Sequence, residues 1–339
     1  MAAGERRLRR WAGPWLDGVV RRRHFIQSLP ALAAAGRGLA RPAAEDVTFF
    51  VVADPQVHLE KWGVAGTEAM IRTMNALPGK AFPVGGVVPE PRAVLVAGDL
   101  VDVVDDRRHW ESYRRMFDPN GEALLRFRAF EGIGNHDLSP ESATGFSWVQ
   151  REVMRRHRLR RGPEQFHYDA DGYHHSWDWG RLHVVNLNLF PGTVARPVYD
   201  RPAAWNNPAG SLDFLREDLR ERVGRSGRPV ALMWHYGLRG WGLEKWWTPE
   251  DLAALKAAVA DYNVVLILHG HEHAYARYTW EGIPVFMGPS PQRDRDPKTP
   301  GVDSTPKGFL VVHLAGGRLH VLHHEAAGWG EAWSTEVTG

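Results

Sequence analysis

The stretch "VVLILHGHEH" spans Val264–His273. Its first five residues are apolar and mostly branched, the pattern of a buried strand. Three histidines follow at alternate positions: His269, His271 and His273. Side chains two apart on a strand share a face. Such a row is either a hydrogen-bonded polar edge or a set of metal ligands, because imidazole is the commonest protein ligand for first-row metals. The stretch alone leaves both open, so the deciding partners must come from elsewhere in the chain.

Four other short apolar runs end the same way. "VTFFVVADPQ" closes on Asp54 and Gln56, "AVLVAGDLVD" on Asp99 and Asp102, "FRAFEGIGNHD" on Asn135 and His136, and "VALMWHYG" on His235. Between them lie helical patterns at 66–77, 107–117, 209–224 and 248–262; Thr248 followed by Pro249 reads as an N-cap with proline at the first helical position. Alternating strands and helices predict an α/β chain with helices covering a sheet. Hairpins turning at Trp179-Gly180, Glu281-Gly282 and Gly316-Gly317 break the alternation and predict a second, mixed sheet. In open α/β sheets ligands bind beyond the carboxyl ends of the strands. Five strands therefore deliver carboxylate, amide and imidazole groups to one edge, and the histidines at 271 and 273 have partners.

In this order, D-x-Q, GD-x-x-D, GNHD, H and GHEH resemble the calcineurin-like metallophosphoesterase superfamily, over nearly all of residues 46–325. The fold expected is a four-layer α/β/β/α sandwich of two mixed sheets flanked by helices, with a dimetal site at the strand C-terminal ends. The resemblance implies two transition-metal ions, divalent or trivalent, bridged by Asp99. One would take Asp54, Asp99, His273 and the residue two after Asp54; the other would take Asp99, Asn135, His235 and His271. A shared carboxylate offsets the repulsion of two close cations. Mixed oxygen and nitrogen ligands suit Mn, Fe, Co or Zn rather than Ca. The first motif departs from the family's usual D-x-H, since Gln56 stands where the histidine would be. His58 is the rival, but on a strand Gln56 is on the same face as Asp54, so Gln56 is favoured. The resemblance makes His136 a general acid or electrostatic stabiliser oriented by Asp102. No tyrosine follows the GD pair, which argues against a purple acid phosphatase type of site.

The implied activity is hydrolysis of phosphoesters by in-line attack of metal-activated water, weakly favouring phosphomonoesters. Substrates would be phosphorylated small molecules or phospholipids. The alternatives are a phosphodiesterase or phospholipid-acting esterase on the same site, or a non-catalytic metal-binding interaction protein. Residues 138–190 and "GLRGWGLEKWW" (237–247) are expected to wall the pocket. The loop 289–308 carries Arg293, Arg295 and Lys298, and the first two are candidate phosphate-binding residues.

The net charge of +2 hides an asymmetry. Residues 1–41 carry nine arginines against Glu5 and Asp17, a net of +7, so the other 298 residues carry a net of −5. The basic character therefore belongs to the N-terminal segment and does not indicate nucleic-acid binding. "RRHFIQ" (Arg22–Gln27) precedes a weakly apolar run and then small residues near Ala44, the order of a twin-arginine-like export signal. Residues 1–44 are expected to be that signal and 45–339 the phosphoesterase domain. This predicts contact with export machinery, a periplasmic or extracellular location and no transmembrane anchor after processing. The absence of cysteine excludes disulfides and thiol catalysis. Six arginines in "REVMRRHRLRR" (151–161) are expected to form a solvated helix face, with phosphate or headgroup contact as the alternative.

Overall fold

The computed structural model describes residues 46–139, 146–193, 203–292 and 307–338. The signal-like segment, Arg293, Arg295 and Lys298 lie outside the described residues. In chain order the strands are β1 (Val47–Val52), β2 (Val94–Val96), β3 (Ala129–Glu131), β4 (His167–Tyr168), β5 (His175–Trp179), β6 (Leu182–Asn186), β7 (Val230–Met233), β8 (Val264–His269), β9 (Ala276–Trp280), β10 (Ile283–Met287), β11 (Gly308–Ala315), β12 (Arg318–Glu325) and β13 (Gly328–Glu336). They form two sheets, ordered β13-β12-β11-β1-β2-β3 and β4-β5-β6-β7-β8-β10-β9. Each is mixed. In the first, β1, β2 and β3 run parallel and β11 to β13 antiparallel. In the second, β6, β7, β8 and β10 are parallel, with antiparallel edges at β4-β5 and β9. The three hairpins turn where glycine permits a left-handed backbone, at Gly180, Gly282 and Gly316-Gly317.

Strand alternation builds the layers. Phe49 and Val51 of β1 pack with Leu95, Met233, Leu268 and Leu310 between the sheets. Phe50 and Val52, one step along, pack outward with Met70, Ile71 and Met74 of α1 (Ala65–Ala76) and Trp110 and Tyr113 of α2 (Arg107–Met116). On the other side, Leu232 and Ile267 join Leu212 and Leu215 of α4 (Ser211–Asp218) and Leu255 of α6 (Pro249–Val259), which follows the short α5 (Gly240–Trp246). The central strands are thus covered on both faces, which is why β1, β2, β7 and β8 read as apolar runs, whereas β9 and β13 keep exposed positions. The α6 cap forms as expected, with Asp251 N donating to Thr248 Oγ1 at 3.1 Å. Among the described residues no helix is long and apolar enough to cross a membrane.

The arginine run departs from expectation. It forms most of α3 (Trp148–Arg158), but only part of it is a solvated face. Arg156 is buried and donates to Glu131 Oε1 on β3 at 2.6 Å, and Arg160 is buried with Nη2 3.6 Å from the other oxygen of Glu131. Arg151, Arg155, Arg158 and Arg161 are exposed, and Arg155 and Arg161 pair with Glu152 and Glu122. Charge density along the sequence does not reveal that two members of the run point inward. Their cost of burial is offset by a carboxylate on the facing strand. Several other histidines are structural. His183, for one, bridges Asp178 and Asp218, each at 2.7 Å.

Candidate metal centre

The five motif strands do not share one sheet. Asp54, Gln56, Asp99, Asn135 and His136 follow β1, β2 and β3 of the first sheet, whereas His235, His271 and His273 follow β7 and β8 of the second. The motif residues converge where the carboxyl ends of two parallel strand sets meet. None of them lies in a strand. β8 ends at His269, so the alternate spacing of the histidines is not a strand face. His269 turns away from the others, with Nδ1 donating to the Gly270 carbonyl at 2.9 Å and Nε2 2.8 Å from the Tyr278 hydroxyl. Asp54, Gln56, Asp99, His271 and His273 all have positive φ, between 34° and 79°. Left-handed backbone on non-glycine residues costs on the order of 1–3 kcal/mol each, and such strain concentrates at functional sites. Here it aims these side chains from loops beyond the strand ends rather than along a strand face.

The loops are laced together by buried hydrogen bonds. Gln56 N donates to the Asp99 carbonyl at 2.8 Å, His136 N to Asp99 Oδ1 at 2.9 Å, and His271 N to both Asp54 oxygens at 3.0 Å. Asp137, which the motif reading did not single out, accepts from Gly134 N (2.9 Å), Leu100 N (2.9 Å) and Val101 N (3.2 Å). Its carboxylate ties the GD loop to the GNHD loop. The only hint in the sequence was its place at the end of the GNHD motif, where an acid reads equally well as a turn residue. Gly134 is required by close approach, since a Cβ there would lie 2.4 Å from Asp99 N.

The donor set fits a pair of cations. His235 Nδ1 donates to the Ala97 carbonyl at 2.8 Å, which leaves Nε2 as an acceptor in the neutral ring. That nitrogen faces Asn135 Oδ1 at 3.2 Å, Asp99 Oδ2 at 3.3 Å and His271 Nδ1 at 3.3 Å. Acceptors crowd together in this way around a proton or a metal ion. Burial opposes it, yet Asp99 and Asp54 push the His235 pKa up to about 9. Burial likewise opposes ionisation of Asp99, and His235 and His136 hold its carboxyl well below the usual range. Two groups can each hold an ion: Asp99 with His235 and His271, and Asp54 with Asp99 and His273. Asp99 is common to both. Gln56 reaches the pair, its Nε2 donating to Asp99 Oδ2 at 2.9 Å. His58 falls outside both groups.

His136 lies beside the pair. Its Nδ1 is 2.8 Å from the Asp102 carbonyl oxygen and 3.5 Å from the Asp102 carboxylate. The orienting contact is therefore with the Asp102 backbone, while Lys61 Nζ donates to the carboxylate at 2.8 Å. Aromatic rings wall the approach. Trp205 is 5.9 Å from the His136 ring, and Trp246, stacked on Tyr236 at 4.3 Å, stands edge-on to His271 at 5.4 Å. A cleft of about 310 Å³ is lined by Leu138, Phe146, Gln150, Tyr173 and Ala204 among others, and by none of the candidate ligands.

The family model for calcineurin-like phosphoesterases matches residues 47–275, two thirds of the chain and every motif above. The chain belongs to that family. It is a metallophosphoesterase, with candidate metal-binding residues at the sheet ends. Solved structures share the fold at low identity. A dimetal phosphatase from Danio rerio superposes with a TM-score of 0.54 at 12% identity, covering 86% of this chain and 99% of that one. GAP50, the anchor in the inner membrane complex of Plasmodium, superposes with a TM-score of 0.53 at 9% identity, covering 87% and 90%. No curated protein matches this phosphoesterase in sequence.

Proposed function

We propose that this phosphoesterase carries out dimetal-dependent, in-line hydrolysis of phosphoesters, weakly favouring monoesters. The observation that carries the reading is the sharing of Asp99 by two ligand groups, each drawn from both sheets. Ions held there would lower the pKa of a bound water towards neutrality and neutralise the phosphoryl oxygens. Asp54, Gln56 and His273 complete one set around Asp99; Asn135, His235 and His271 complete the other. Mn, Fe, Co and Zn all suit this mixture of oxygen and nitrogen. His136 stands at the edge of the pair with Nδ1 held by the Asp102 carbonyl. Its Nε2 is the ring atom left to meet the phosphoryl or leaving-group oxygen. Trp205, beside the His136 ring, would border the organic part of the ester. Arg293 and Arg295 are proposed to meet a dianionic phosphate, which motivates the monoester preference.

Assays of mono- and bis-nitrophenyl phosphate on one metal-loaded preparation test the reading. Turnover of both, with the monoester ahead, is expected. Preference for the diester would move the assignment to a phosphodiesterase. A protein carrying two ions in this centre and hydrolysing neither ester would point to an interaction protein on the same fold.

Gln56 provides a separate test. Its amide must turn so that Oε1 faces an ion, and an amide oxygen binds more weakly than an imidazole. Gln56→His is expected to keep or strengthen the first set, and Gln56→Ala to weaken its ion about 10-fold or more, the scale on which the surroundings of a ligand change metal affinity. Metal content in Gln56→Ala equal to that of the unaltered protein across a chelator titration would remove Gln56 from the ligand set.

A further inference from the structure

A second cluster of potential ligands lies beside Asp102, whose Oδ2 is 3.9 Å from His58 Nε2. The loop after β1 bends back through a bridge between His58 and Gly63, and α2 begins beside it. The loop contributes His58 and Glu60, and the helix contributes His109. Glu60 Oε2 lies 3.3 Å from His58 Nδ1 and 3.2 Å from His109 Nε2, and the two imidazole rings are 4.4 Å apart. Tetrahedral zinc has bonds of about 2.0–2.2 Å, which place neighbouring ligand atoms about 3.3–3.5 Å apart. The two edges at Glu60 Oε2, 3.3 and 3.2 Å, are close to that spacing.

Hydrogen bonding supports the same reading. Backbone N–H groups of Glu60 and Lys61 both donate to His58 Nδ1, each at 3.3 Å, so that nitrogen carries a lone pair. Its approach to a carboxylate oxygen is acceptor against acceptor, which a cation between them reconciles. The ion would compete with those two long N–H contacts for the lone pair. Arg108 Nη2 holds the other Glu60 oxygen at 2.8 Å and leaves Oε2 turned to the imidazoles. The N-terminal end of α2 disfavours a cation, and Glu60 and Asp106 offset it. Asp106 Oδ2 is 3.7 Å from His109 Nε2, and it or a water would supply the fourth position.

We propose that His58, Glu60 and His109 hold a third cation, zinc by the chemistry of the set, apart from the pair around Asp99. The site goes beyond the catalytic reading and does not depend on it. It also has a place in the architecture. Lys61, on the same loop, holds the Asp102 carboxylate, and the Asp102 carbonyl holds His136. An ion here fixes the loop that braces the proposed acid.

The test counts zinc by elemental analysis after chelator stripping and equilibrium dialysis of the full protein against zinc. His109→Gln and Glu60→Gln are each expected to hold about one zinc fewer than the unaltered protein. Asp99→Asn is expected to lose the pair and keep this ion, so failure of the third site and failure of the pair give different counts. Glu60 is half exposed, which guards the result against misfolding of the buried His109 variant. Zinc counts in both variants equal to that of the unaltered protein would overturn the proposal.

Discussion

Asp99→Asn is expected to strip most of both ions from the paired centre and abolish turnover. Asparagine keeps the shape and one acceptor oxygen, so the His136 N–H contact survives. What it loses is the anion that both ligand groups share. Loss of a hydrogen-bonding partner behind a ligand already costs about 10–100-fold in metal affinity. Loss of a bridging charge acts on both ions at once and should exceed the upper end of that range. The variant should remain folded without metal, because the contacts of Gln56 N with the Asp99 carbonyl and of His136 N with the side-chain oxygen are kept, although the attraction of His235 for the carboxylate is given up. Chelation should therefore lower the melting temperature of the unaltered protein clearly and that of Asp99→Asn far less, because a ligand stabilises only what binds it. Full occupancy of the paired centre in Asp99→Asn, measured by elemental analysis, would show that Asp99 is not the bridge.

His136→Ala is expected to reduce turnover by about 10²–10⁴-fold, the range for a positioned proton donor or acceptor, while its metals stay in place. The ring makes its contact with the Asp102 carbonyl, and only the backbone N–H touches Asp99, so alanine leaves the ligand network intact. Poor leaving groups need the proton most and should lose most; an activated nitrophenyl ester should be partly spared. Equal losses on good and poor leaving groups would argue against proton donation and leave electrostatic stabilisation by the imidazole.

The order of motifs and the turn glycines determined much by themselves. Five apolar runs each ended in polar residues, three glycine-marked turns announced the hairpins, and the periodic segments became α1, α2, α4 and α6. These features follow from local chemistry: burial on both faces makes a strand uniformly apolar, and a left-handed turn asks for glycine. The tertiary structure decided how the motifs meet. Apolar runs carry no mark of which sheet they join, so the division of the site between two sheets was not legible. Strand geometry placed His271 and His273 on one face, whereas both lie beyond β8 in left-handed backbone, with His271 N held by the Asp54 carboxylate. The same holds for Gln56, which reaches Asp99 through a bend rather than a strand repeat. Asp137 and the inward turn of Arg156 and Arg160 were also hidden, because a charged residue announces its partner only when the facing strand is in place. Local sequence specifies elements and residue types; the cost of burying charge without a partner is settled only by what packs opposite.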